Sequence, residues 1–133
     1  MNSRLPKRGT DPMGDGAFGA RRGGRTHRGI DYACPPGFEI LANESGTVTK
    51  LGYPYADDLS YRYVQVTDDL GDAHRYFYVE PVVELHAYVN EGDVIGISQD
   101  ICARNGYGER GMKNHIHYEI RRNGEFIDPE GSE

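Results

Sequence analysis

A mostly β fold is predicted for this chain: a compact antiparallel β-sheet or sandwich with long connecting loops and little helix. Three observations predict it. Runs such as Arg62-Tyr63-Val64-Gln65-Val66-Thr67 alternate apolar and polar residues, the period of a strand with one buried face. Turn-forming stretches, among them Asp68-Asp69-Leu70-Gly71-Asp72 and Asn123-Gly124, separate those runs, and such punctuation at short intervals marks antiparallel architecture. No segment keeps the period of a long amphipathic helix, and no internal repeat is present.

Residues 1–17 mix Gly, Pro and charge and read as an irregular basic arm. Residues 18–133 then form a single domain, as a chain of 133 residues implies. A chain of that size buries roughly two-thirds of the surface its unfolded form exposes, enough for a core of its own. Strands are expected at 39–42 and 46–51, with a loop at 53–58. Further strands are expected at 62–67, at 74–79 after the acidic turn, and at 94–97. The stretch 99–114 is longer and more polar than a minimal turn and reads as a loop able to border a site. A last strand runs from 115 into Arg121-Arg122, and Asn-Gly joins it to 125–127, the strongest short hairpin signal.

The net charge of −6 is unevenly spread. The first 28 residues are basic, through Arg4, Lys7, Arg8, Arg21, Arg22, Arg25 and Arg28 against Asp11 and Asp15, and the remainder is acidic. The basic flank reads as solvated, and the acidic body argues against nucleic acid as the main partner. No apolar run approaches the about 18 residues of a membrane helix, so no membrane partner is expected. Met1 to Arg8 carry charge with no apolar stretch behind them, so no secretory signal is expected. Cys34 and Cys102 fit neither a disulfide framework nor a zinc knuckle, and two free thiols are expected. Cys34 lies just behind Asp31 in sequence and could border a site there. A monomer is favoured.

The chemistry concentrates in two stretches. In Asn114-His115-Ile116-His117-Tyr118-Glu119-Ile120 two histidines flank one apolar residue on a strand. That spacing puts both imidazoles on one face, roughly 6.5–7 Å apart along the chain. One can bind a metal while the other reaches a water beside it. Earlier, His27-Arg28-Gly29-Ile30-Asp31 sets a histidine and a carboxylate four apart in a Gly-rich setting. On a straight strand they would stand about 13 Å apart, so a bend at Gly29 is expected to bring them together. His27, Asp31 and one of the late histidines would supply three ligands and leave a fourth position open, the pattern of catalytic zinc.

These residues, in this order, resemble the lysostaphin-type (LytM-like) zinc metalloendopeptidases, which cut peptide cross-links in bacterial cell walls. Phe18-Gly19-Ala20-Arg21-Arg22 and His27-Arg28-Gly29-Ile30-Asp31-Tyr32-Ala33 are similar to that family's first metal motif. Val89-Asn90-Glu91-Gly92-Asp93-Val94-Ile95-Gly96 is similar to a Val-x-x-Gly-x-x-Ile-Gly segment of the family. His115 to Ile120, Asn123-Gly124 and Asp128-Pro129 are similar to its closing strand and hairpin, so the likeness spans about residues 18–129. The resemblance implies Zn2+ held by His27, Asp31 and His117, and a peptidoglycan peptide as substrate. It implies His115 as the catalytic histidine, either a general base or a hydrogen-bond donor to the developing oxyanion. With no secretory signal expected, such an enzyme acting at the cell wall would be exported another way, released by lysis or carried in a virion, as for a phage endolysin.

One departure from the family pattern stands out. These enzymes usually carry another histidine in a segment resembling Tyr-x-His-Leu, and the corresponding stretch here is Tyr76-Phe77-Tyr78-Val79. Tyr78 stands at the histidine's place. A phenol is a poor base at neutral pH but a competent hydrogen-bond donor, so Tyr78 either donates to the oxyanion or merely packs in the strand. The second case fits an alternative reading, a catalytically weakened member serving as a binding or structural module. Lost ligands usually accompany such weakening, yet all three remain. His115-x-His117-x-Glu119 also loosely resembles the metal motif of a small cupin-like barrel, but the further histidine that motif needs does not follow. Glu119 reads as an edge-strand charge or a support for His117, and His74 and His86 read as surface or core residues.

Overall fold

The computed structural model describes the backbone of residues 10–11, 14–15, 21–22, 25–26, 29–106 and 114–127. The expected boundary of the basic arm at residue 17, the first-motif residue His27, and Asp128-Pro129 lie outside those residues. Four two-residue strands come first: β1 (Thr10–Asp11), β2 (Gly14–Asp15), β3 (Arg21–Arg22) and β4 (Arg25–Thr26), with β1 paired to β2 and β3 to β4. Then follow β5 (Ile30–Ala33), β6 (Glu39–Leu41), β7 (Gly46–Gly52), β8 (Tyr63–Asp68) and β9 (Ala73–Phe77). The series closes with β10 (Val79–Pro81), β11 (Tyr88–Val89), β12 (Val94–Ser98), β13 (His115–Arg122) and β14 (Glu125–Ile127). A 3-10 turn, Ile101–Gly106, opens the long polar stretch before β13.

The larger sheet has the order β11-β7-β8-β9-β13-β14, with β5 also paired to β13, and the smaller has the order β10-β12-β6. Among the described residues every pairing in these two sheets is antiparallel, as the alternating runs predict. Both sheets contribute to one core. Ile40 and Ile95 of the small sheet cluster with Val48, Val64, Val66, Tyr76, Ile116, Tyr118 and Ile120 of the large one. The even-numbered residues of β13 therefore face that core, which sends His115, His117 and Glu119 to the opposite face. Strand β13 is no edge: β9 pairs along one side of it, and β5 and β14 share the other. The reading of Glu119 as an edge-strand charge is corrected accordingly, since Glu119 is buried in an interior strand. At the far end of β13, Asn123 and Gly124 take φ of 52° and 82°, as a two-residue hairpin turn requires.

The expected strand 74–79 is broken at Tyr78. Its φ is +68°, a left-handed conformation that a bulky residue adopts only when its surroundings impose it. Those surroundings are visible. The N–H groups of Tyr78 and Val79 both donate to Arg62 O, at 2.9 and 3.1 Å, and Tyr78 O accepts from Gln99 N at 2.9 Å. The kink is where the chain leaves the large sheet for the small one, with β9 on one side and β10 on the other. It also takes the Tyr78 ring out of the alternation that places His74 and Tyr76 in the core.

Candidate active site

Sheet register builds the site. Strand β5 runs antiparallel to the first half of β13, with His117 opposite Asp31 and His115 opposite Ala33. Asp31 Oδ1 lies 2.9 Å from His117 Nδ1, and its Oδ2 lies 3.6 Å from His115 Nε2. Asp31 is 1% exposed. A carboxylate this deeply placed is costly unless paired or coordinated, and here two imidazoles face it. The other ring nitrogen of His117, Nε2, lies 3.0 Å from Glu119 Oε1. Burial alone would push the His117 ring toward the neutral form, but its hydrogen bonds to the Asp31 and Glu119 carboxylates, with their charges, outweigh it and raise its pKa to about 9.

The expected bend at Gly29 is present, immediately before β5. The ring of His117 occupies the space beside this glycine: a Cβ on Gly29 would meet His117 Cε1 and Nε2 at 2.9 Å, and the Tyr118 carbonyl oxygen as well. Glycine thus lets the first motif close onto the last one, and no other residue fits without a shift.

Aromatic rings frame the histidines. Phe77 stands edge-on to His117 with centroids 5.3 Å apart and stacks on Tyr63 at 4.7 Å. Tyr78 meets His115 edge-on at 5.6 Å. Tyr55, from the 53–58 loop, stacks on Tyr78 at 6.1 Å, and its hydroxyl donates to the Tyr78 hydroxyl at 3.4 Å. The loop that carries Tyr55 is tied down behind it. Gln99 Oε1 accepts from Arg62 N and Gln99 Nε2 donates to Ser60 O, while Tyr61 donates its hydroxyl to Asp100 O. Asn114 anchors the segment just before His115. Its carbonyl accepts from Cys34 N, and its side-chain oxygen accepts from Cys102 N in the 3-10 turn.

The remaining candidates fall elsewhere. His74 lies in the core between Asp68 Oδ2 at 2.8 Å and the Tyr118 hydroxyl at 2.7 Å. His86 is exposed in a turn with positive φ. Cys34 and Cys102 are free thiols. The Cys34 thiol donates to Pro35 O at 3.5 Å, and burial pushes its pKa up, against the Ser98 hydrogen bond that lowers it. A thiol so held is a packing residue rather than a nucleophile. Sequence reasoning missed Tyr55 and the depth of Glu119. The spacing of Glu119 from His117 was a usable signal; a tyrosine in a loop was none.

The donor set suits zinc, for which imidazole nitrogen and carboxylate oxygen are ordinary ligands. Two ligand atoms on a tetrahedral zinc stand about 3.3 Å apart. Asp31 Oδ1 and His117 Nδ1, at 2.9 Å, would have to part by only a few tenths of an ångström. No group of three His, Cys, Asp or Glu side chains placed to hold an ion occurs among the described residues, and His27, the third expected ligand, lies outside them.

Comparison with known proteins adds an independent line. The family model described as Peptidase family M23 matches residues 25–129. The DD-carboxypeptidase/endopeptidase Mpg of Neisseria meningitidis serogroup B is 30% identical over 107 residues, 79% of this chain and 22% of that protein. The protein of the same name from Neisseria gonorrhoeae matches to the same extent. The chain therefore spans 22% of the length of these curated relatives. A mutant catalytic domain of the prophage-encoded M23 protein EnpA from Enterococcus faecalis shares the fold with a TM-score of 0.71 at 21% identity, over 99% of this chain and 94% of that one. The catalytic domain of the antimicrobial peptidase lysostaphin from Staphylococcus simulans matches with a TM-score of 0.64 at 22% identity, over 88% and 86%.

Proposed function

Because the chain belongs to peptidase family M23, we propose that it is a zinc-dependent endopeptidase that hydrolyses the peptide cross-links of bacterial peptidoglycan. The observation that carries this reading is the convergence of His117 and His115 on the buried carboxylate of Asp31. Asp31, His117 and His27 would hold the metal. Zinc bound there would supply Lewis acidity, polarising the scissile carbonyl and acidifying the attacking water.

The chain's own residues divide the rest of the work. His115 is buried beside Asp31 without being the nearer imidazole. It is thereby suited to take the proton from the attacking water or to donate to the oxyanion. Tyr78, edge-on to His115, would donate its hydroxyl to the developing negative charge. Donation from Tyr55 to the Tyr78 oxygen would polarise the Tyr78 O–H toward that task. Phe77 packs edge-on against the His117 ring, and Tyr63 stacks behind Phe77.

A tyrosine at position 78 also favours a second reading, a family member that binds wall peptides and turns them over poorly. Digestion of purified sacculi of several cross-link types, followed by product mass analysis, decides between them. The peptidase reading predicts peptide fragments with new termini at one bond type. Binding to sacculi with no new termini would move the assignment to the binding module.

A further inference from the structure

His117 has a carboxylate at each ring nitrogen. Nδ1 faces Asp31 Oδ1 at 2.9 Å, and Nε2 faces Glu119 Oε1 at 3.0 Å. A neutral imidazole offers one lone pair, so the nitrogen opposite the metal must carry the proton. The two carboxylates differ in their other partners. Asp31 directs Oδ2 at His115 Nε2, which places it within the group that would surround an ion. Glu119 directs Oε2 at Arg75 Nη1, 3.6 Å away.

The support behind Glu119 crosses the sheet. Arg75 lies directly opposite Glu119 in the β13–β9 register, and Gln65 directly opposite Arg75 in the β9–β8 register. Arg75 donates Nε to Gln65 Oε1 at 2.7 Å, and Gln65 donates Nε2 to Thr49 Oγ1 at 3.0 Å. Directly opposed side chains on neighbouring strands are near enough to brace one another. Glu119 is 5% exposed, so both of its oxygens need partners, and it has one on each side.

We infer that Glu119 is a positioning residue for the metal site: it accepts a hydrogen bond from His117 Nε2–H and so leaves the Nδ1 lone pair for the ion that Asp31 would share. The inference rests on His117 being a ligand. A carboxylate on the far nitrogen of a ligand histidine fixes the ring's tautomer and orientation, and loss of such a partner weakens metal binding roughly 10–100-fold. A Glu119 that served only to neutralise Arg75 would leave zinc affinity unaffected.

The test is the zinc dissociation constant of the full chain, measured by competition with a chelating dye, for wild type, Glu119→Ala and Glu119→Gln. It is joined by the imidazole N–H spectrum of the zinc-loaded proteins. Wild type should show a protected proton on His117 Nε2. Glu119→Ala should lose that resonance and bind zinc roughly 10–100-fold more weakly. Glu119→Gln keeps an acceptor oxygen in the same place, and should recover the resonance and most of the affinity. Wild-type affinity in Glu119→Ala, or a protected proton on Nδ1 in wild type, overturns the inference. Should the alanine variant not fold, the wild-type spectrum and the near-isosteric glutamine variant still decide it. Zinc affinity is read without substrate. A chain that binds zinc as described but leaves sacculi intact would therefore fail the peptidase reading and not this one.

Discussion

His117 and Asp31 are direct register partners across β13 and β5, and their facing atoms, Nδ1 and Oδ1, lie 2.9 Å apart. The antiparallel pairing thereby unites residues 86 positions apart in the chain. A pair held by a strand ladder is positioned more tightly than one carried on loops. Its partners should accordingly respond to small changes in the backbone beneath them.

Gly29 is the first such place. Gly29→Ala puts a methyl group against the His117 ring and the Tyr118 carbonyl. Overpacking of this kind costs about 1–3 kcal/mol, and the displaced ring should also bind zinc more weakly. Urea denaturation of the two proteins measures the first effect. An unchanged midpoint would show that the bend at Gly29 tolerates a side chain and that the glycine is not needed there.

His115 and His117 should separate experimentally. If His115 assists the reaction rather than holding the ion, as proposed, His115→Ala should remain folded and keep its zinc while losing about 10²–10⁴ in rate. His117→Ala should lose most of its zinc. Elemental analysis of both variants tells them apart, and equal zinc loss would mean that both histidines ligate.

Tyr78→Phe removes a hydroxyl and keeps the ring that packs on Tyr55 and His115. The rate should fall roughly 10–10³-fold, with zinc content and melting unchanged. A rate equal to wild type would rule out Tyr78 as an oxyanion donor and leave it as the residue that turns the chain between sheets.

The far side of the sheet carries a pH-dependent brace. Burial opposes ionisation of Asp68, but hydrogen bonds from His74 and from the Asp72 and Leu70 N–H groups outweigh it and hold the carboxyl below its usual range. A carboxyl depressed on folding adds stability that is fully present above its unfolded pKa of about 3.9 and is lost as pH falls through the lower folded value. Asp68→Asn should therefore be less stable than wild type at neutral pH, by about 1–3 kcal/mol. The gap should narrow below about pH 4. Denaturation series at several pH values check this, and a gap that widened in acid would contradict it.

Much of this was legible in the sequence, and the exceptions have physical causes. The alternation of Val64 and Val66 with Gln65 and Thr67 marks a strand because one face is buried and the other is not. Asn123-Gly124 marks the hairpin because the turn needs positive φ at both positions. His115 and His117 share a face because strands have a period of two, and the glycine between His27 and Asp31 marked the bend that precedes β5. The break at Tyr78 was hidden: in Tyr76-Phe77-Tyr78-Val79 nothing local asks for a left-handed residue, and the constraint comes from Arg62 and Gln99, distant in sequence. The burial of Glu119 was hidden for a similar reason. Only the sheet order, with β13 between β9 and β5, shows that this charge sits inside.

The measurement that bears most directly on the account is a zinc titration of metal-stripped protein, following the release of new peptide termini from sacculi. The account predicts no cleavage without metal, a rise with added zinc that breaks at about one ion per chain, and no recovery in Asp31→Ala over the same range. Cleavage that persists in the metal-stripped protein, or an Asp31→Ala variant that regains full activity at one equivalent of zinc, would contradict it.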